Sequence, residues 1–243
     1  MPNRAASPPD QPGEVDLPPQ VSISLQDSCL SYVRDRLRQV MFESYAGVPL
    51  GKFPEDLRMY EHLLWASAAN VVLEIGTNQG GSALWFRDRL ATMARYGRIA
   101  AGAVISIDLD VEPARRCLES VPDDDITLVE GDVLDPQLPA RVSRLLPADA
   151  RCFVVDDSAH TYRTTRAALE GFASLVAPGG YFVVEDGCVD VEELRVAESW
   201  PRGVLPALRE WLASPAGSQF VQRPDLERYG VSCHPGGFLQ RSH

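Results

Sequence analysis

A chain of 243 residues, 45% of them hydrophobic, can bury one sizeable core and is of ordinary length for one domain. Its net charge of -11 repels a phosphate backbone, and no Lys/Arg run offsets it, so no nucleic-acid partner is expected. Its longest apolar runs are of strand length, far short of the roughly 20 residues that span a bilayer, so no membrane partner is expected either.

Residues 1–20, "MPNRAASPPDQPGEVDLPPQ", are Pro-rich and polar, which predicts a disordered lead-in. They hold no apolar h-region of a secretory signal, and a cytoplasmic location is the expectation. Cys29, Cys117, Cys152, Cys188 and Cys233 form no CxxC pair, which speaks against a zinc or disulfide framework. Residues 21–243 are expected to form a single domain, with N-terminal helices over 21–69 and an α/β core over 70–243. Residues 22–44 read as a helix with Leu30, Val33, Leu37 and Val40 roughly on one face. Gly47, Pro49, Gly51 and Pro54 then predict a loop, and a second helix starts behind Pro54.

From residue 70 the pattern alternates. Apolar runs at 70–76, 103–110, 126–133, 152–157 and 181–187 read as strands, and helical segments lie between them. Strands with no polar face, alternating with helices, predict a doubly wound, mostly parallel sheet covered on both sides. A helix over 200–214 and an antiparallel hairpin within 218–241 close the chain. In such sheets ligands bind at the carboxyl ends of the strands. Each strand here ends in polar residues: Glu74 before Gly76, Asp108, Asp132, Asp156 with Asp157, and Glu185 with Asp186.

"LEIGTNQGGS" places a glycine turn between a strand and a helix. Gly76 permits the turn, Gly80 and Gly81 admit a ligand close to the backbone, and Ser82 can cap the helix. The glycines fit close helix–strand packing equally well. The spacing is not G-x-G-x-x-G, and no Walker lysine follows. Asp108 can accept both hydroxyls of a ribose, and Asp132 an adenine amino group. Together with the loop they outline a nucleoside site.

The segments "AGVPLGKFPEDL", "LEIGTNQGGSALWF", "VISIDLD", "DSAHTYRTTRAALEGFASLVAPGGYFVVEDG" and "HPGGFLQR" resemble class I S-adenosylmethionine (SAM)-dependent methyltransferases. More narrowly, they resemble the cephalosporin hydroxylase/methyltransferase-like family, which includes rhamnosyl O-methyltransferases of antibiotic pathways. The resemblance covers roughly residues 45–241. It implies a Rossmann-like fold, SAM over Glu74, Gly76, Thr77, Gly80, Gly81 and Ser82 with Asp108 and Asp132, and a hydroxylated small-molecule acceptor such as a deoxysugar. A homo-oligomer is also implied.

If the strands ending at Asp157 and at Glu185–Asp186 are neighbours, three carboxylates converge and require a cation. Oxygen ligands favour Mg2+ or Ca2+ over zinc, and the resemblance implies Mg2+ at Asp157, Glu185 and Asp186. Asp157 is assigned ahead of Asp156 because it keeps the three-residue spacing to His160. His160 is the candidate general base for a metal-activated hydroxyl; its other reading is a residue that caps the start of a helix. "GVPLGKFPEDL" reads as a lid or as a structural loop, and the glycines of "HPGGFLQR" as a turn. Two readings compete with methyl transfer. One is an accessory or binding protein that keeps the fold, which needs no base. The other is an NAD-dependent dehydrogenase, which the glycine spacing disfavours.

Overall fold

The computed structural model describes residues 29–119, 121, 125–228 and 231–242. The lead-in over 1–20 and the start of the helix expected over 22–44 lie outside them. The first described helix, α1 (Cys29–Gln39), passes into a 3-10 turn at Val40–Phe42. Leu37 and Val40 are buried, whereas Leu30 is exposed, so the apolar stripe is shorter than the spacing suggests.

Two short strands follow, β1 (Ser44–Tyr45) and β2 (Val48–Pro49), paired antiparallel across Ala46–Gly47 where a loop was expected. Helix α2 (Pro54–Ser67) starts with Pro54, whose missing N–H costs nothing in a first turn. The alternating core then runs β3 (Val71–Ile75), α3 (Gly81–Arg95), β4 (Ala103–Asp108), α4 (Glu112–Leu118), β5 (Ile126–Glu130), α5 (Leu138–Ser143), β6 (Cys152–Asp156), α6 (Tyr162–Phe172) and β7 (Tyr181–Val184). After it come α7 (Val204–Leu212), β8 (Phe220–Gln222) and β9 (Phe238–Arg241).

The seven-stranded sheet has the order β5-β4-β3-β6-β7-β9-β8. β3 to β7 are parallel, and β9 runs antiparallel to both β7 and β8. The fold is therefore the Rossmann-like, mostly parallel α/β sheet with an antiparallel C-terminal pair. Every residue of β3 and β6 is buried. Along β3, Val71, Leu73 and Ile75 join one apolar cluster with α6 and α7, while Val72 joins the other with α2 and α3. That period of two is the sheet pleat itself, and it explains why these strands carry no polar position until their ends.

The chain winds from β3 to β4 and β5 on one side and returns to β6 and β7 on the other. The crossover point lies between β3 and β6, where Ile75 pairs with both Ile107 and Asp156. A crevice opens there, beyond the carboxyl ends. Two glycines set its width. Gly76 has φ +106°, and a Cβ on it would stand 1.9 Å from the Asp157 carbonyl oxygen. A Cβ on Gly81 would stand 2.1 Å from the Pro49 carbonyl oxygen, so the β2 segment rests directly on the start of α3.

Gly76→Ala is expected to cost about 3 kcal/mol or more, from the left-handed backbone and the overlap. At this chain length that lowers Tm by roughly 6–12 °C in a thermal melt. An unchanged Tm would show that the Asp157 carbonyl can move away.

Candidate functional site

Asp108, the last residue of β4, ties down the glycine loop. Its Oδ2 accepts the N–H groups of Thr77 at 2.9 Å and Asn78 at 2.8 Å, and its Oδ1 accepts that of Leu109 at 2.7 Å. Charge-assisted bonds of this kind hold a loop firmly. Asp132 accepts from Leu134 N at 2.9 Å through Oδ1. Both acids line a cavity of ≈ 370 Å³ with Gly76, Asn78 and Ser158. Ser158 Oγ is buried there beside the Asp156 carboxylate, which also accepts the Ser158 N–H.

A second cavity, of ≈ 270 Å³, holds Thr77, Gly81 and Ser82 together with Lys52 and Asp186. Its apolar wall comes from Leu37, Val40, Met41, Val189, Trp200 and Pro201. The two cavities share Gly76, Asn78, Asp157 and His160. Glu74 and Gly80 line neither. Gly80 faces Leu118 and Ala114 of α4. Glu74 is wholly buried and accepts from Ser106 Oγ at 2.5 Å, while Thr77 Oγ1 lies 2.7 Å from that same hydroxyl. It therefore supports the loop from beneath.

The acidic end of β6 divides its two aspartates. Asp156 is buried, and that burial pushes its carboxyl up to about 7. Asp157 emerges into both cavities. The next turn carries His160 at φ +53°, and Asp186 after β7 has φ +54°. Non-glycine residues in this region are uncommon and cost about 1–2 kcal/mol each. Both belong to one cluster, with His160 Nε2 3.4 Å from Asp186 Oδ2 and 3.7 Å from Asp157 Oδ1. Thr161 caps α6 through a reciprocal pair of bonds with Thr164, so capping is not left to His160. Burial pulls the His160 imidazole down, but Asp186, Asp157 and the other carboxylates outweigh it and hold it above the usual histidine range.

Glu185 sits behind this cluster and lines neither cavity. Lys52 Nζ donates to its two oxygens at 2.7 and 2.6 Å and to Asp157 Oδ2 at 2.8 Å. Tyr60 OH donates to Glu185 Oε1 at 2.6 Å, and His234 Nε2 stands 2.9 Å from the same hydroxyl. Asp186 N donates to His234 Nδ1 at 3.0 Å. The neutral tautomer therefore carries its proton on Nε2, and the chain of donation runs His234 to Tyr60 to Glu185. Burial would depress Lys52, yet Asp157, Glu185 and Glu74 hold its ammonium well above the ordinary lysine range.

Lys52, Tyr60 and His234 were not singled out from the sequence, although a signal for one of them was present. Lys52 is the only lysine, against 22 arginines. In a chain that uses arginine for every other strong base, one ammonium marks a place where a compact point charge is required. Tyr60 lies in the helix read behind Pro54 and His234 opens the segment "HPGGFLQR", and nothing in their spacing signals that they meet.

As a metal site the cluster offers oxygen first. Asp157, His160 and Asp186 each bring one ligand atom within 4.8 Å of the others, as do Glu185, Asp186 and His234. Lys52 faces two of the carboxylates, Asp157 and Glu185, while Asp186 lies beside His160 and His234; acids in excess of the ammonium suit a hard divalent cation. Asp157 and Asp186 present oxygens to the cavity; Glu185 shares its charge with Lys52.

The chain matches the family model described as rhamnosyl O-methyltransferase/CmcI over residues 38–242. A rhamnosyl O-methyltransferase of Mycobacterium bovis (strain BCG / Pasteur 1173P2) is 25% identical over 202 residues, 82% of this chain and 78% of its own. The Mycobacterium leprae (strain TN) protein of the same name is 26% identical over 82% of each chain. A CmcI structure with Mg and SAM superposes with a TM-score of 0.59 at 22% identity, over 93% of this chain and 90% of that one. The mycinamycin-pathway methyltransferase MycE, in complex with Mg, SAH and mycinamycin VI, superposes at 0.55 with 16% identity, over 90% of this chain and 54% of that one. These two superpositions establish the shared fold.

Burial raises Glu74 from 4.5 to about 7. The folded state therefore favours the protonated acid. That stabilisation is complete below about pH 4.5 and is lost as pH rises through 7. Glu74→Gln keeps an acceptor for Ser106 and removes the ionisation. It should gain stability over the wild type between pH 5 and pH 8 by about 1–3 kcal/mol, read from urea unfolding at both pH values. Parallel pH curves for the two proteins would show that Glu74 stays ionised when folded.

Proposed function

The chain belongs to the rhamnosyl O-methyltransferase/CmcI family of SAM-dependent O-methyltransferases, and on that premise we propose that it methylates a hydroxyl of a deoxysugar, with Mg2+, in the tailoring of a secondary metabolite. The observation that carries this is the junction of two cavities at Asp157 and His160. One cavity suits a nucleoside, the other an acceptor, and a base lies between them.

SAM supplies the electrophilic methyl group, and Mg2+ supplies Lewis acidity that makes the acceptor hydroxyl easier to deprotonate. The chain's own residues do the remaining work. Asp108 accepts a ribose hydroxyl at Oδ1, where its loop bonds leave one lone pair free, and Asp132 the adenine amino group. Gly76, Thr77, Gly81 and Ser82 line the path to the second cavity, with Glu74 and Gly80 as its supports. Asp157 and Asp186 would hold the metal from the cavity, with Glu185 as the acid behind them, and His160 Nε2 takes the acceptor proton. The apolar wall around Trp200 and Met41 suits the methyl group of a deoxysugar and an apolar scaffold attached to it. The Mg in the CmcI and MycE complexes and the sugar in the relatives' names support this reading.

Met41 and Phe42 are 72% and 61% exposed, and they support a contact between copies of the chain, as in a homo-oligomer, measurable by light scattering. Among the described residues no helix is long and apolar enough to cross a membrane. A cytoplasmic location belongs to the same proposal.

The test is a methyl-transfer screen with deoxysugar-bearing acceptors, SAM, and either Mg2+ or EDTA. A methylated product that appears with Mg2+ and disappears with EDTA is expected. Full turnover in excess EDTA would leave the carboxylates a purely electrostatic role. Asp108→Ala should weaken SAM binding by about 1.5–3 kcal/mol per lost bond in calorimetry, and unchanged affinity would remove Asp108 from the site.

His160→Ala should lower kcat by about 10²–10⁴ with SAM affinity nearly intact. Because the base must be neutral, the wild-type rate should fall as pH drops and His160 takes up a proton. The His160→Ala profile should lack that limb. A wild-type rate and profile in the variant would return His160 to a backbone role.

A further inference from the structure

Lys52 differs from the other bases of the chain in number, burial and company. It is the only lysine, it is 4% exposed, and its ammonium spans Asp157 and Glu185 at 2.6–2.8 Å. It reaches them from the segment between β2 and α2, which rests on Gly81. Glu185 is fixed from the other side by Tyr60, which His234 orients in turn. Among the described residues Asp157 has no such second anchor: its other oxygen, Oδ1, faces His160. An ammonium in this position does two things at once. It holds two carboxylates that would otherwise repel, and it lowers the negative charge a divalent ion would meet.

The geometry points to Lys52 as a positioning residue that sets how tightly the Asp157–Glu185–Asp186 cluster takes a divalent cation, keeping binding weak enough for the ion to exchange with substrate turnover. This rests on the Mg2+ reading above. Lys52 thus acts as a built-in partial occupant of the acidic site: it organises the empty cluster and competes with the ion for the same oxygens.

The test measures Mn2+ binding by electron paramagnetic resonance in the full chain, as wild type, Lys52→Met and Tyr60→Phe. Removing the ammonium raises the site's negative charge by one at close range, so Lys52→Met should bind Mn2+ about tenfold more tightly or better. Tyr60→Phe removes a donor from Glu185 without changing charge and should stay within about threefold of wild type. Equal or weaker Mn2+ binding in Lys52→Met, beside measurable binding in wild type, would overturn the role of Lys52 and leave the Mg2+ reading standing. Absence of Mn2+ binding in the wild type would overturn the Mg2+ reading and this inference with it.

A second measurement needs no variant, in case Lys52→Met does not fold. Nitrogen-15 placed at lysine Nζ gives one resonance from the one lysine. Mn2+ should broaden that resonance at the concentrations where binding is seen. A sharp, unshifted signal at Mn2+ saturation would show that Lys52 does not share ligands with the ion.

Discussion

The bridge from Lys52 to Asp157 and Glu185 is the interaction on which the site's arrangement depends. Two strands deliver acids to the same crevice because β6 and β7 are neighbours in register, Asp156 beside Val184. Parallel pairing alone would leave these carboxylates repelling one another in a poorly solvated place. A buried charge persists only when it is paired and hydrogen-bonded. Here the partner arrives from outside the sheet, on the short β1–β2 unit and the turn that follows. The N-terminal segment is thus part of the site's electrostatics as well as a wall of its cavity.

Strain collects at the same place. His160 and Asp186 both take left-handed backbone, in the turns that follow β6 and β7. The left-handed step turns His160 back over Asp157, and it frees the Asp186 amide to bond His234 Nδ1. In a loop without function these two positions would more readily be glycine or asparagine. Keeping an imidazole and a carboxylate there costs free energy that the surrounding caps and strands offset, notably the Thr161–Thr164 pair that starts α6. Strain of this kind is a feature of pre-organised sites.

The sheet was legible in the sequence for a simple reason. Strands buried on both faces must be apolar throughout, so 70–76, 152–157 and 181–187 declare themselves by composition, and their polar ends by contrast. Asp108, Asp132, Asp157, His160 and Asp186 could be named because each stands where such a run stops. Glu74 shows the limit of that logic. It lies inside β3, and the pleat turns it beneath the loop towards Ser106. Position near a strand end does not say which side of the loop a carboxylate reaches. Lys52, Tyr60 and His234 were illegible for a different reason. They come from three separate segments, and their meeting is a property of tertiary packing that no local period encodes. The lone lysine was the one compositional trace of it.

The division of labour in the crevice explains why fold and chemistry read out more readily than the acceptor. The cavity lined by Asp108 and Asp132 is built from the β3, β4 and β5 ends, whose geometry the sheet imposes. The other is walled by Leu37 and Val40 from the N-terminal helix and turn, and by Val189, Trp200 and Pro201 from the run between β7 and α7. Those segments carry no sheet register, and they can change shape without disturbing the parallel strands. On the proposed function, specificity for one hydroxyl over another would come from those loops, and the means of activating it, the acids and His160 at the junction of the two cavities, from the strand ends. The same Asp157 that bonds Lys52 lines both cavities, so the loop that brings the lysine and the strand that brings the acid are coupled through a single carboxylate.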